Sequence, residues 1–334
     1  MKKIAPLLLA ALALSIGVIY YTALLPAPGP PEDEPESKVV LGFAQLGAES
    51  EWRSASSESV IRAARKYGIE LMFENAQQKQ ENQIKAIRSF IAHQVDVIAF
   101  SPVVESGWDN VLIEARAAGI PVILVDRKIE TDMKDVYLSF LGSDFLEEGR
   151  KAGRWLRSKF GNTSDDVRIV ELRGTEGASP TKGRDEGFRE VLSDDHRFMI
   201  IRSLSGDFMR SKGLETMEHI LSEYYAPDKG RDIDVIFAHN DDMAMGAMEA
   251  LERRGIRPGQ DVVMISVDAQ HSALEALKAG KLNCVVECTP YFGEQLMQLV
   301  TALAAGREIP PAIYSEETIF TEDDPPESLP EREY

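Results

Sequence analysis

The sequence predicts an α/β protein of two doubly wound, Rossmann-like parallel-sheet lobes. Three observations carry this. Short apolar runs alternate with amphipathic segments along most of the chain. The alternation falls into two successive series with no long linker between them. The runs are bounded by glycine, proline and acids, and they are too apolar for half-exposed strands, which marks strands covered by helices on both faces.

The first series starts with the strand VVLGFAQL and the helix SASSESVIRAARKYG, whose core face is read from Ile61, Ala64 and Arg65 and whose stop signal is Gly68. IELMFENA is the next strand. QENQIKAIRSFIAHQ is the next helix, with Ile84, Ile87 and Ile91 on one face. VDVIAFSPV, the helix NVLIEARAAG and IPVILVDR complete a βαβαβαβ run. The second series opens near Ser143 with FLEEGRKAGRWLRSKFG and VRIVELRG. It continues through GRDEGFREVLSD, FMIIRSLSGD, RSKGLETMEHILSEY, IDVIFAHN, DMAMGAMEALERRG and DVVMISVD. A closing helix–strand–helix, HSALEALKAGKLNCVVECTPYFGEQLMQLVTALAAG, is too short for a third domain and is expected to complete the two sheets. The acidic tail from Glu322 reads as surface cover or a frayed end.

The expected domain plan has four parts. Residues 1–25 form a signal peptide or membrane anchor and residues 26–37 a proline-rich acidic linker. Residues 38–140 plus 269–287 form an N-terminal lobe, and 141–268 plus 288–334 a C-terminal lobe. Lys2 and Lys3 precede the mostly apolar run from Ile4 to Leu25, which fits an export signal yet is long enough to span a bilayer. The cleavage pattern is poor, because Pro28 follows Ala27, and this favours an uncleaved anchor. Either way the remainder lies outside the cytoplasm, at the periplasm or cell surface. The tether PAPGPPEDEPES would extend roughly 35 Å as polyproline II.

Composition narrows the function further. The 334 residues are 44% hydrophobic and 28% charged, ordinary for a globular chain. Fifty-five acids against 37 bases give a net charge of −18, which repels phosphate backbones and argues against nucleic-acid binding. Cys284 and Cys288 lie four residues apart. On a strand that places their Cα atoms roughly 13 Å from each other, too far for a disulfide, so two free thiols are expected. No Cys/His pattern points to a metal, and no Ser/His/Asp arrangement to a nucleophile. Neither catalytic residues nor a cofactor are therefore expected.

In open α/β sheets ligands bind beyond the strand C-termini. Beyond these strands stand Glu49, Ser50, Glu51, Trp52 and Arg53, then Asp126 and Arg127, then Arg184, Phe208, Asn240, Asp268 and Glu287. Each acid, amide or arginine has an ordinary role as a cap or solvated side chain, and Asn240 before Asp241 is well placed to cap a helix. Their coincidence at strand ends is the signal. Carboxylates, amides and guanidiniums match hydroxyls that both donate and accept, and aromatic faces take the C–H surface of a sugar.

The stretches VDVIAFSPV…GIPVILVDR, ELRGTEGASPTKGRDEGF, SGDFMRSKG, FAHNDDMAMGAMEAL and ISVDA resemble the ribose/galactose-type sugar-binding proteins of ABC importers, the type I periplasmic binding proteins. AQLGAESEWRSA and NAQQKQENQIKAIRSF look closer still to the galactofuranose-binding branch. The resemblance implies two lobes joined by a three-strand hinge and a monomer that clamps a monosaccharide and hands it to a membrane permease. A sensor kinase or chemoreceptor is the alternative partner. It implies that Glu49, Trp52 and Arg53 form the first-lobe mouth, with Ser50 and Glu51 in the same turn. Asp126 and Arg127 become paired hydroxyl ligands, and Arg184, Phe208, Asn240 and Asp268 the second-lobe contacts. Glu287 becomes a contact at the last crossover. Ala269 departs from the glycine that usually follows the hinge aspartate, and the Glu–Trp–Arg mouth departs from that of ribose binders.

Overall fold

The computed structural model describes residues 38–224 and 233–334. The expected signal or anchor (1–25) and linker (26–37) lie outside the described residues. Among the described residues, no helix is long and apolar enough to cross a membrane.

The first lobe is built from β1 (Val40–Gln45), α1 (Glu51–Tyr67), β2 (Glu70–Asn75), α2 (Gln80–Ala92), β3 (Val97–Phe100), α3 (Asp109–Ala117), β4 (Val122–Val125) and β5 (Ser139–Gly142). The second follows with α4 (Phe145–Lys159), β6 (Val167–Arg173), α5 (Ser179–Leu192), β7 (Phe198–Ser205), α6 (Arg210–Tyr224), β8 (Val235–Ala238), α7 (Asp241–Arg253), β9 (Val263–Asp268), α8 (His271–Lys278) and β10 (Cys284–Glu287). The chain then returns to the first lobe through α9 (Gly293–Ala304) and β11 (Ala312–Tyr314), and crosses once more to β12 (Ile319–Thr321). The sheet orders are β11-β5-β4-β3-β1-β2 and β12-β10-β9-β8-β6-β7. Every pairing is parallel except β10 with β12. Three segments therefore cross between the lobes, after β5, after β10 and after β11.

The closing segments differ from expectation. Residues 269–287 belong to the second lobe, because β10 pairs with β9, Glu287 opposite Asp268. Within 288–334, α9 packs on α1 and β11 pairs with β5, so this part completes the first lobe. The reason is local: α8 makes β9-α8-β10 an ordinary crossover, which lays the next strand beside the last. Leaving the sheet occurs only at Cys288.

Buried strands fix the layers. β3, β4, β5 and β8 are buried at every position. In α1 the buried face runs through Ser56, Ser59, Val60, Ala63 and Ala64, one step from the face read off the sequence, so Ile61 is half-buried and Arg65 exposed. Gly68 ends that helix at φ +69°, as expected of a left-handed C-cap. Cys284 and Cys288 are both free and buried.

Candidate functional site

Each parallel sheet turns the C-terminal ends of its strands toward the other lobe, and the first-lobe groups come from the turns after β1 and β4. Ser50 caps α1 by accepting from the Arg53 N–H at 3.1 Å, which turns Trp52 and Arg53 inward and leaves Glu51 outside. Asp126 adopts φ +65°, a strained conformation for a non-glycine residue, and this aims its carboxylate at Arg53. Arg53 Nη2 donates to Asp126 Oδ2 at 2.6 Å and reaches Glu49 Oε1 at 3.4 Å. Arg127 Nη2 donates to the same Glu49 oxygen at 2.5 Å. Ser101, at the end of β3, lies 3.3 Å from Arg53 Nη1 and donates to Asp126 at 3.2 Å.

The second lobe supplies Arg184 from α5. Its Nε donates to Glu148 Oε2 at 2.7 Å, its Nη1 to the His239 carbonyl, and its Nη2 lies 3.9 Å from Asp268 Oδ1. Gly149 makes this pairing possible, since a Cβ there would sit 2.3 Å from the Arg184 carbonyl oxygen. The Phe208 ring lies across Gly174, where a Cβ would fall 1.9 Å from its Cζ. Arg127 and Arg184 approach that ring to 5.1 and 5.9 Å. Asn240 caps α7 by accepting from the Met243 N–H, and its amide donates to the Phe208 carbonyl at 3.1 Å. Asp268 at φ +126° and Ala269 at φ +64° make the turn after β9.

These groups line one cleft with about 280 Å³ of empty space between its atoms. Backbone contacts cross it directly: the Glu105 N–H donates to the Gly177 carbonyl at 2.8 Å and the Lys128 N–H to Ser179 Oγ at 2.9 Å. Trp52 Nε1 donates to the Cys288 carbonyl at 2.6 Å, tying the mouth of β1 to the second crossing.

Glu49, Ser50, Trp52, Arg53, Asp126, Arg127, Arg184, Phe208, Asn240 and Asp268 all line the cavity. Glu51 does not: it is exposed, and only its backbone N–H reaches across, to Asp242 at 3.3 Å. Glu287 does not either. It faces away, paired with Arg332 and accepting the Thr318 N–H at 3.0 Å, while the next residue, Cys288, lines the cavity instead. Successive residues at a strand end point to opposite sides, so the expectation was off by one position. Phe145 and Pro180, in the first turns of α4 and α5, also line the cavity and lie outside the set expected from the sequence. Their signal was their place just beyond a strand or a crossing.

The charges balance. Glu49, Asp126 and Glu148 match Arg53, Arg127 and Arg184, and all six are buried. Burial, with Asp241 beside it, pushes the Asp268 carboxyl well above the ordinary carboxylate range, against the pull of Arg184. A neutral carboxyl can both donate and accept. Burial also lowers the pKa of Arg127, opposed by Glu49. For Arg53 and Arg184 burial acts the same way but is outweighed, by Asp126 and by Glu148 respectively. Arg53 Nε and Arg127 Nε are buried without a hydrogen-bond partner, which a native site does not leave uncompensated without reason. The lining as a whole suits an uncharged solute rich in hydroxyls. Among the described residues, one group of metal-ligand types comes together, Glu148, Cys288 and Glu317 at the crossings.

The sequence matches the periplasmic binding protein domain over residues 41–308. The chain belongs to the periplasmic binding protein family. This binding protein is 43% identical over 252 residues to the galactofuranose-binding protein of Escherichia coli, covering 75% of this chain and 78% of that one. A Mycobacterium smegmatis protein solved in complex with β-D-fucofuranose is 48% identical with a TM-score of 0.82, covering 85% of this chain and 91% of the other. The arabinose ABC transporter binding protein of Shewanella sp. ANA-3, solved with α- and β-L-arabinofuranose, is 42% identical with a TM-score of 0.81, covering 85% and 92%. The family is one of binding proteins, not of enzymes.

Proposed function

We propose that this binding protein encloses one neutral monosaccharide in its five-membered ring form, a galactofuranose-like hexose by preference, and delivers it to an ABC importer outside the cytoplasm. The observation that carries the reading is a charge-balanced, aromatic-capped lining whose guanidiniums keep two buried N–H groups without a hydrogen bond, on Arg53 and Arg127. Hydroxyls would complete those donors without adding charge to a buried site. In this reading Glu49, Ser50, Trp52, Arg53, Asp126 and Arg127 grip the sugar from the first lobe. Arg184, Phe208, Asn240 and Asp268 grip it from the second. The furanose preference is supported by relatives whose names carry galactofuranose, fucofuranose and arabinofuranose. Relatives named as transport binding proteins support a permease partner over a sensor. We take the protein to act as a monomer tethered through its N-terminal segment.

A thermal-shift screen of pentoses and hexoses that populate furanose forms tests the reading. A bound sugar at a hundredfold excess over its dissociation constant should add about 2.7 kcal/mol of stability. Absence of any shift across the panel, together with no sugar detected by mass spectrometry of the purified protein, would refute it.

A further inference from the structure

All three lobe crossings meet at one side chain. Ser143 Oγ, on the first crossing, donates to Glu317 Oε1 at 2.5 Å. The Thr289 N–H, on the second, donates to the same oxygen at 3.1 Å. Glu317 itself lies on the third, and Lys151 Nζ binds its carbonyl at 2.6 Å. Beside this knot, the carboxylates of Glu317 and Glu148 and the Cys288 sulfur lie within 4.8 Å of one another. Glu148 gives one oxygen to Arg184, while its Oε1 is buried and has no hydrogen-bond partner.

We propose that Glu317 is a positioning residue for Arg184, acting through a proton that it shares with Glu148. The charges at the knot point to it. Two carboxylates this close and this deep favour sharing one proton when one guanidinium compensates them and the Lys151 ammonium is spent on the Glu317 backbone carbonyl, paired with neither carboxylate. That guanidinium is on Glu148, and Glu317 meets with its carboxylate only a hydroxyl and an amide. A proton on Glu317, donated to the open oxygen of Glu148, satisfies both side chains. It fixes the carboxylate that orients Arg184, which lies 3.9 Å from Asp268. Burial, and then Glu148, push the Glu317 carboxyl up to about 9. Burial also raises the Cys288 thiol, which leaves it uncharged. With Arg184 in place and both Glu317 and Cys288 neutral, the cluster has no net negative charge to hold a cation. A chain of contacts thus runs from the hinge segments through Glu317, Glu148 and Arg184 to the cavity.

The inference rests on Arg184 as a sugar contact, and the experiment separates the two. The affinity for D-galactose, whose solutions contain a furanose fraction, is measured between about pH 7.5 and about pH 9.5 for the wild type, Glu317→Gln and Glu317→Ala. Because Asp268 also titrates high, the readout is the difference between wild type and Glu317→Gln. The wild-type dissociation constant should rise at least about threefold across the range. Glu317→Gln, which keeps a donor and an acceptor, should match the wild type at the lower pH and weaken less steeply than it as pH rises, because only the Asp268 contribution remains. Glu317→Ala should bind at least about tenfold more weakly. A Gln variant that follows the wild-type profile, or binds as weakly as the Ala variant, would overturn the proposal. Melting of the ligand-free proteins supplies the independent arm. Wild type should lose melting temperature with rising pH more steeply than Glu317→Gln, and equal slopes would overturn the shared proton. If galactose binds at no pH, the melts alone judge the proton, and the sugar reading fails separately.

Discussion

The two halves of the cavity hold their charges differently. In the first lobe Glu49, Arg53, Asp126 and Arg127 neutralise one another, so the network is closed upon itself. In the second lobe the groups are anchored outward: Arg184 on Glu148 and the His239 carbonyl, Asn240 on the helix it caps, Asp268 on Gln270. A closed network has its polarity set before a solute arrives, and any member removed strands a partner in the protein interior. An anchored group can be removed with less damage to its neighbours. The first half should therefore couple binding to stability, and the second should affect binding more cleanly.

The largest effect is expected from Arg53→Ala. Breaking a buried ion network by one partner costs about 3–5 kcal/mol, so calorimetry should find sugar binding lost and the melting temperature clearly lower. Arg184→Ala should also abolish detectable binding, with a smaller loss in melting temperature because Arg184 bonds one buried carboxylate, Glu148, where Arg53 bonds two, Glu49 and Asp126. If Arg184→Ala destabilised the protein more than Arg53→Ala, the contrast between the halves would be reversed. Phe208→Ala removes the ring shared by two guanidiniums and should weaken binding about tenfold or more, as cation–π contacts worth about 1–2 kcal/mol require.

A subtler effect concerns Asp241, buried behind Asp268, which accepts from Ser266 Oγ at 2.5 Å and the Gln270 N–H at 2.8 Å. Burial, aided by Asp242, raises its carboxyl to about 7. A raised acid contributes stability that is complete below its ordinary pKa and fades as pH rises through about 7. Melting temperature should thus decline through neutrality, and Asp241→Asn should flatten that decline. The smallest effects on affinity belong to Glu51→Ala and Glu287→Ala, less than about twofold, because neither side chain lines the cavity. A tenfold loss in either would place them back among the sugar contacts.

How much the sequence revealed follows from strand length and side-chain direction. Strands such as VRIVELR announce themselves by length and apolar content, whereas SFLG, AIY and IFT are three or four residues long and carry no periodicity to read. That is why β11 and β12, and with them the true allotment of the closing segments, were not legible. The site was legible because its residues follow strands that were. Glu51 entered the expectation by being adjacent to the N-cap, where a single helical step separates inside from outside. Glu287 entered through the chemistry of a carboxylate at a strand end, and the pleat put Cys288 in the cavity instead. Phe145 and Pro180 carry no polar signature, so their role emerges only when the helix starts are placed.

The thrice-crossing chain has a consequence for the order of assembly. Strand β11, the edge of the first sheet, comes from residues 312–314, more than 160 positions after β5 beside it. Neither sheet can be finished until nearly the whole chain is present, so the halves are bound to complete together. Such distant pairing slows folding, and it keeps the early part of the chain short of its final sheet for as long as the late part is missing. A cut before residue 312 would leave both sheets with a bare outer strand.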